Sequence, residues 1–476
     1  MKFLALLAAA LCGCSFDPSG VGSLDGGSDV DAGRADGATP GDGGSSDGAL
    51  PDGPACVPTC TDATHIDDCS GNAPTECLLG CLVVDAAADR CKRVDPSNHV
   101  TVDQLAGVTA AVSITEDDLI VANSDTGEIL RGGAVVRAPG LNVISGIGFY
   151  VVGSEGIFAV KSLTVAGKGR LVATGNNTVA ILSAGDVVVH GTIDVSGGCR
   201  AHDGSATDDL SCGGPGGGDG ATSQPSFAAG CAPGSDGASL MGPGPETGGG
   251  GGGFQSNGAP GGNAAPPLTM GGAGGVTGAA CAPESLEPIR GGSGGGQGGG
   301  EMSLFGGQGG GGGGGLQITS LTQITIEKDS GDIGTVLAAG GGGSGGGASF
   351  GGGGGGSGGA ILLEAPRVTI AGGVVAANGG GGGQGNGVAE GARGTATKEA
   401  AKGGGGNSDG HGGNGGALNA PGGAPTAGFG NAIGSFDGTG GGGASVGRIR
   451  INARQAPTSA GPVISPAASM ADIAAN

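Results

Sequence analysis

Aromatic and basic side chains are scarce in this chain. Of its 476 residues none is Trp and one is Tyr, and the aromatic residues together make up 2%. This composition argues against carbohydrate binding by stacking of sugar rings on aromatic side chains. Lys and Arg number 20 against 42 Asp and Glu, which gives a net charge of −22. Because phosphate binding needs clustered Lys and Arg, nucleic acid is not an expected partner.

Long apolar runs are also absent, apart from one short run near the N terminus. Residues 4–11 are apolar and follow the positively charged Lys2. This run is too short to cross a bilayer as a helix, and no later segment is apolar enough to do so. A positive charge, a short apolar run and a small residue before a cysteine are typical of a secretory signal peptide.

The apolar run ends in the sequence Leu11-Cys12-Gly13-Cys14. This motif resembles the lipobox of bacterial lipoproteins, in which the last cysteine becomes the first residue of the mature chain. The resemblance implies palmitate and further acyl chains on Cys14, which would suffice for stable membrane anchoring. Because Ser15 follows and not an acidic residue, the resemblance implies the outer membrane. An ordinary signal peptide with an incidental cysteine is the alternative.

Ten cysteines remain after Cys12 and Cys14 are set aside. An even number in an exported chain predicts disulfides, although the connectivity stays open. Six of them lie close together in the sequence: Cys56, Cys60, Cys69, Cys77, Cys81 and Cys91. Four lie in the glycine-rich half: Cys199, Cys212, Cys231 and Cys281. Zinc binding by the first group is the alternative, but only His65 lies nearby and the spacings do not fit. We expect neither a metal nor a cofactor.

Composition divides the chain into five segments. The second of them is rich in Gly, Ser, Ala, Pro and Asp and lacks apolar periodicity, which predicts a disordered acidic tether. The third is too short for a core of its own, so that disulfides must staple it. The segments are a signal peptide (1–13), the tether (14–55), a disulfide module (56–95), a β-rich domain (100–455) and a flexible C-terminal tail (456–476).

One strand pattern recurs through the β-rich domain. Its four copies are Leu163-x-Val165, Val187-x-Val189, Ile324-x-Ile326 and Val368-x-Ile370. Because side chains alternate between the two faces of a strand, both members of each pair share a face. We expect these strands to lie in one parallel sheet with the pairs pointing inward. The residues expected to point outward are Thr164, Val188, Thr325 and Thr369.

The repeat units combine short strands with tight corners, as in residues 360–365 followed by 368–370. One such turn cannot bury its apolar face alone, whereas stacked turns about 4.8 Å apart share a continuous core. The pattern therefore predicts an all-β fold, a right-handed parallel β-helix. Long insertions are tolerated at its corners, since the cost of loop closure rises slowly with length.

Glycine accounts for 122 residues, far above the average of about 7%. It is concentrated in three insertions, 197–315, 340–359 and 379–444. Disorder is the default expectation for such tracts, because glycine maximises chain entropy and has no side chain to pack. Ordered, extended polyglycine strands packed side by side are the alternative. The cysteines in the first insertion indicate that at least this insertion is stapled.

Three short motifs resemble those of pectin-cleaving glycosidases: Asp208-Asp209, His411 between two glycines, and Arg448-Ile449-Arg450. In that family a pair of carboxylates performs acid/base hydrolysis. However, about two hundred residues separate the first motif from the second, whereas the family places them on nearby coils. We expect these matches to be accidental and the chain not to be an enzyme.

The sequence partly matches two further kinds of binding site. Calcium-binding β-rolls place Asp after glycine, as near Asp219 and Asp409. However, the position that must be aliphatic in that repeat is not aliphatic here. The outward Thr residues of the strand repeat resemble the flat ladder of ice-binding solenoids. The second copy has Val188 in that place, and Thr is also a favourable exposed strand residue. We expect neither function.

The whole arrangement resembles glycine-rich bacterial surface lipoproteins with an adhesin-like parallel β-helix. The resemblance implies a non-catalytic structural or adhesive protein, at the cell surface or in the periplasm, held to the outer membrane by its lipid. Extracellular polysaccharide and other cell-surface proteins are the implied partners. The alternatives are a polysaccharide-active β-helix enzyme, a hydrolase or lyase, and, further off, an ice-binding or polyglycine-packed surface protein.

Overall fold

The fold is seen in a computed structural model that describes most of the chain. The described residues are 56–85, 87–199, 209–222, 227–239, 246–263, 283–300, 306–405, 410–418, 438–458 and 461–476. Residues 56–476 form one compact unit. Within the described residues the secondary structure consists of β-strands and one 3-10 helix at Val102–Leu105. This confirms the predicted all-β class.

Five short strands and three disulfides build the cysteine-rich module. The strands are β1 (Thr59–Cys60), β2 (His65–Asp67), β3 (Thr75–Glu76), β4 (Cys81–Leu82) and β5 (Arg90–Cys91). They pair antiparallel, β1–β2–β3 and β4–β5. The disulfides are Cys56–Cys69, Cys60–Cys81 and Cys77–Cys91. The six cysteines of this segment therefore pair among themselves, which suits a segment too small for an apolar core.

Twenty-one further strands follow along the chain. The first twelve are β6 (Ala111–Ile114), β7 (Leu119–Asn123), β8 (Ile129–Arg131), β9 (Ala134–Arg137), β10 (Asn142–Ile144), β11 (Ile147–Val152), β12 (Glu155–Val160), β13 (Ser162–Val165), β14 (Arg170–Thr174), β15 (Thr178–Ser183), β16 (Val187–Val189) and β17 (Thr192–Asp194). The last nine are β18 (Gly315–Ser320), β19 (Gln323–Asp329), β20 (Asp332–Ile333), β21 (Thr335–Leu337), β22 (Ala360–Ala371), β23 (Val374–Ala376), β24 (Arg448–Thr458), β25 (Val463–Ser465) and β26 (Ser469–Ala471).

Most of these strands stack in three columns of parallel neighbours. The first column contains β12, β15, β18 and the first halves of β22 and β24. The second contains β6, β13, β16, β19 and the second half of β22. The third contains β7, β14, β17, β21, β23 and β25. The chain visits the columns in the order first, second, third, and then returns to the first one strand further along.

The second column has the arrangement that the strand repeat predicts. Leu163, Val187, Ile324 and Val368 are aligned across β13, β16, β19 and β22. All eight apolar members of the four pairs are buried, and the intervening residues are partly exposed. The inward residues of the three columns form one continuous apolar cluster. The predicted pairing and facing of these strands are therefore confirmed.

The first column is buried on its outer face as well. Phe254, Leu286 and Ile289 of the first insertion pack against Leu362 on this face. Nearer the N-terminal end, Val100 packs there against residues of β12 and β15. Strands covered on both faces are expected to be almost continuously apolar, as β15 and the first half of β22 are. The outer cover explains why these strands do not alternate between apolar and polar residues.

The three glycine-rich insertions all leave the stack at one corner. They follow β17, β21 and β23 of the third column and lead into β18, β22 and β24 of the first column. Because these strands are consecutive in their columns, the insertions begin and end at adjacent levels of the stack. Their ends are therefore brought side by side before any contact within the insertions is made.

Antiparallel strands flank one end of the stack. Strand β8 pairs with β7 and β9, and β11 pairs with β10 and β12. At the other end, β25 and β26 extend the stack, and the chain terminates with Asn476 in backbone hydrogen bonds to Arg93. The sequence assigns residues 456–476 to a flexible tail, whereas strands form there because Val463–Ser465 continue the third column.

Truncation of an inward residue in the second column should be costly. Ile326 is fully buried, so Ile326→Ala should lower the free energy of unfolding by about 2–4 kcal/mol. Thr325 is its neighbour on the outer face, and Thr325→Ala should cost well under about 1 kcal/mol. Chemical denaturation followed by circular dichroism measures both. Equal losses in the two variants would contradict the assigned inner and outer faces.

Candidate functional site

The glycine-rich insertions pack into one bundle, which is the most unusual feature of the molecule. We call it the glycine bundle. Its segments are 212–221, 229–238, 247–262, 291–299, 306–315, 338–346, 351–359, 377–385, 389–394, 401–405, 410–417 and 438–447. Each insertion contributes to it. The described parts of the insertions are therefore ordered, extended segments packed side by side, which was the alternative to disorder.

Residues 351–359 form the central segment of the glycine bundle. All nine of their N–H groups donate to backbone carbonyls of other segments, at N···O distances of 2.8–3.0 Å. Residues three apart donate to the same neighbour: the N–H groups of Gly351, Gly354 and Ser357 bind the carbonyls of Gly299, Gly296 and Ser293. A three-residue period is that of the polyproline II helix, which has no internal hydrogen bonds. The backbone N–H and carbonyl groups of each segment must therefore form hydrogen bonds with neighbouring segments.

Six segments surround the central one. Three accept its N–H groups: residues 293–299, 338–344 and 439–445. Three others donate to its carbonyls: residues 249–252, 307–313 and 380–383. Every face of the central segment is thus bonded to backbone, which removes the cost of burying unpaired amide groups. The result is a hydrogen-bonded body that needs almost no side chains for its interior.

Only glycine allows the segments to approach this closely. A Cβ atom on Gly354 would overlap the backbone carbonyl of Gly250, and one on Gly356 would overlap that of Gly311. The other glycines of the central segment are similarly crowded by backbone atoms. The same steric reason restricts the axis of the collagen triple helix to glycine. Glycine therefore serves here for close packing of backbones and not for flexibility.

A few small hydroxyl side chains replace backbone acceptors inside the bundle. The Ser357 hydroxyl accepts from the N–H of Ser293 at 2.7 Å, and the Thr439 hydroxyl accepts from the N–H of Gly248 at 2.8 Å. Both side chains are fully buried. Ser and Thr are thus tolerated where their oxygen takes the place of a carbonyl.

A buried ion pair joins the bundle to the strand stack. Asp194 of β17 is 4% exposed, and both its carboxylate oxygens accept from Nη2 of Arg393 at 2.6 Å. The N–H of Ser196 donates to the same carboxylate at 3.0 Å. Burial by itself raises the pKa of Asp194, but Arg393 and Ser196 outweigh it and leave the pKa below its usual value. Sequence reasoning missed this pair, although basic residues are rare enough in the insertions to have drawn attention to Arg393.

A second buried polar group lies on the outer face of the first column. The Glu364 carboxylate accepts from Gln317, Thr319 and Asn452 of neighbouring strands, at 2.9–3.1 Å. It also accepts from the hydroxyl and the N–H of Ser97. These hydrogen bonds satisfy the buried carboxylate. Those from Ser97 also attach the segment that follows the cysteine-rich module to the sheet.

The side chains that resemble the glycosidase motifs do not converge. The Asp209 carboxylate accepts from the N–H and hydroxyl of Ser211, and Asp208 lies outside the described residues. His411 is part of the glycine bundle, whereas Arg448 and Arg450 are on β24. Within the described ranges no hydrogen bond or ion pair joins Asp209, His411 and these arginines.

The remaining cysteines and the two acidic residues near the calcium-like repeats lie apart from one another in the sequence. Cys199 and Cys212 form a disulfide at the start of the first insertion. Cys231 is disulfide-bonded, and Cys281 and Cys14 lie outside the described residues. The Asp219 carboxylate accepts from the N–H of Gly213 at 2.7 Å, and Asp409 lies outside the described residues. No group of three or more potential metal ligands occurs in the described part of the chain.

The outward positions of the second column form a row of neighbours. Thr164, Val188, Thr325 and Thr369 are aligned across adjacent parallel strands and are partly exposed. Beside this row, Nε2 of His190 lies 2.9 Å from a Glu327 carboxylate oxygen. The row therefore includes one apolar residue and is flanked by the contact between His190 and Glu327.

No family model, curated protein or solved structure matches this chain. In the portion of the chain covered by the structure, no helix has the length and apolarity needed to cross a membrane.

Proposed function

We propose that this protein is a lipid-anchored structural or adhesive component of the bacterial cell surface and that it performs no catalysis. The glycine bundle is the observation that carries the proposal. A body whose interior consists of mutually bonded backbones offers few side chains with which to build a catalytic site. It does offer a stiff platform held at one corner of the strand stack.

We further propose that the three columns are the faces of a right-handed parallel β-helix. The recurring order of columns along the chain supports this, because consecutive strands move from face to face and each circuit adds one level. The continuous apolar cluster enclosed by the columns supports it as well. A solenoid of this kind would transmit force along its axis through stacked hydrogen-bonded strands.

Lipid anchoring is proposed on the motif Leu11-Cys12-Gly13-Cys14. In a bacterial host, the wild-type protein should incorporate labelled palmitate and sediment with outer membranes. Cys14→Ser should remove the label and shift the protein to the soluble fraction, because the acylated residue is lost. Cys12→Ser is the matched control and should behave like the wild type, since Cys12 would leave with the signal peptide. Palmitate on the Cys14→Ser protein would contradict the anchoring proposal.

The surface role can be tested with the same variants. Intact cells expressing the wild type or Cys12→Ser should bind antibody against the mature chain, and they should adhere to one another or to polysaccharide-coated plates more than Cys14→Ser cells do. Loss of the lipid detaches the protein without altering its fold, so that adhesion should fall while the secreted protein keeps its β-sheet circular dichroism spectrum. Equal adhesion of all three strains would exclude the adhesive role.

A further inference from the structure

An apolar cavity opens at the N-terminal end of the strand stack. It has a volume of about 330 Å³ and lies between inward residues of the three columns. Phe158, Ile181 and Leu316 line it from β12, β15 and β18, which are neighbours in the first column. Ala173 of β14 lines it from the third column. The cavity therefore runs along the stack over two strand spacings, roughly 10 Å.

The volume is large for a packing defect. Protein interiors are close-packed, and an engineered apolar cavity of about 150 Å³ already binds small apolar ligands. At the roughly 30 Å³ that one water occupies in the liquid, this cavity corresponds to about eleven non-hydrogen atoms. Ligand pockets begin at about 300 Å³ and are mostly apolar. Size, length and lining fit one unbranched alkyl chain.

Among the described residues that line the cavity, Arg131 is the one with a charged side chain. Arg131 and Val136 are exposed, so they mark the opening. Nη2 of Arg131 donates to the Ser113 carbonyl at 2.6 Å, and its Nε lies 3.9 Å from the Asp118 carboxylate. A guanidinium has five N–H groups, so that these contacts leave donors for a further anion.

Asp118 is ionised and offsets part of the Arg131 charge, but at 3.9 Å from Nε it is too far away to occupy an N–H donor of Arg131. Its carboxylate accepts from the N–H and the hydroxyl of Thr115, at 3.0 and 2.5 Å, and these bonds hold the pKa of Asp118 below its usual value. Asp118 is not part of the cavity lining. The opening therefore presents guanidinium N–H donors at the end of an apolar channel, and these are complementary to a carboxylate on an alkyl chain.

We propose that this cavity binds a medium-chain fatty carboxylate of about ten carbons, with the chain inside and the carboxylate at Arg131. The proposal is independent of the surface role. Decanoate titrated into the purified full chain should bind with a stoichiometry of one, as measured by isothermal titration calorimetry. Its heat-capacity change should be negative, since apolar surface is buried.

Two variants and one control test the position of the ligand. Ala173→Phe fills the channel and should abolish binding of both decanoate and decanol. Arg131→Gln should weaken decanoate by about tenfold through loss of a charge-assisted bond and leave decanol unchanged. Arg367→Gln removes an exposed arginine elsewhere on the stack and should change neither. Circular dichroism verifies that each variant is folded.

The proposal is overturned if decanoate shows no saturable binding, or if Arg131→Gln weakens decanoate and decanol equally. If Ala173→Phe fails to fold, the contrast between decanoate and decanol in Arg131→Gln still decides the matter. Retention of decanoate binding by a folded Ala173→Phe protein would place the ligand elsewhere and would also overturn the proposal.

Discussion

Gly354→Ala should destabilise the glycine bundle by about 3 kcal/mol, although it adds a single methyl group. Gly354 lies in the middle of the central segment, and its added Cβ would overlap the backbone of Gly250. Backbone atoms cannot rotate away as a flexible side chain can, so the segments would have to separate. Separation would break bonds such as that from the N–H of Gly354 to the Gly296 carbonyl, at 2.9 Å.

The matched control is Gly461→Ala. Gly461 has a φ of +66° but no heavy atom within 4 Å of its added Cβ. This variant should therefore cost about 1 kcal/mol, from backbone conformation alone. Chemical denaturation measures both losses, and hydrogen exchange resolved to peptides 351–359 should show faster exchange in Gly354→Ala alone. Slow exchange and wild-type stability in Gly354→Ala would mean that the segments are not packed as described.

The strand stack could be predicted from the sequence because its inner residues alternate. Leu163-x-Val165 and its three counterparts predicted a shared parallel sheet, and the register of β13, β16, β19 and β22 agrees. Period-two alternation reports burial on one face of a strand. It therefore worked for the second column, whose outer face is partly exposed. It was uninformative for β15 and the first half of β22, which are covered on both faces.

The order of the glycine bundle could not be predicted by the same reasoning. Glycine has no side chain, so a glycine tract carries no apolar pattern by which packing could be recognised. The stabilising contacts are backbone hydrogen bonds among residues from all three insertions, for example between residues 351–359 and 293–299. The three insertions can make these contacts because they all leave the strand stack at the same corner. That corner is set by the order of the strands and not by the sequence of the glycine tracts.

The buried ion pair was missed for a related reason. Asp194 lies at the end of β17, and Arg393 is about two hundred positions further along the chain. Charge alone does not identify a partner at such a distance, because most acidic residues of this chain are expected to be solvated. The pairing depends on the third insertion returning to the corner at which the first one leaves.

Removal of the cation from this pair should strongly destabilise the protein. Arg393→Ala removes the nitrogen that bonds both oxygens of Asp194, which is 4% exposed, and leaves the more distant Arg170 as its remaining cation. Breaking a buried pair on one side typically costs about 3–5 kcal/mol, and Arg170 at 3.8 Å offsets only part of that loss. Arg170→Gln is the control, because Arg170 lies 3.8 Å from Asp194 and is more exposed. It should cost about 1 kcal/mol or less.

The pH dependence of stability distinguishes loss of the pair from general damage. Arg393 holds the pKa of Asp194 below its usual value, which for Asp is about 3.9. The stabilisation is therefore fully present above that pH and is lost as pH falls through the lower folded-state pKa. Wild type and Arg170→Gln should lose this contribution on acidification, whereas Arg393→Ala should lose less or gain, because protonation neutralises a buried Asp194 that has lost its closest cation. Parallel pH profiles for wild type and Arg393→Ala would show that the pair does not stabilise the junction between stack and bundle.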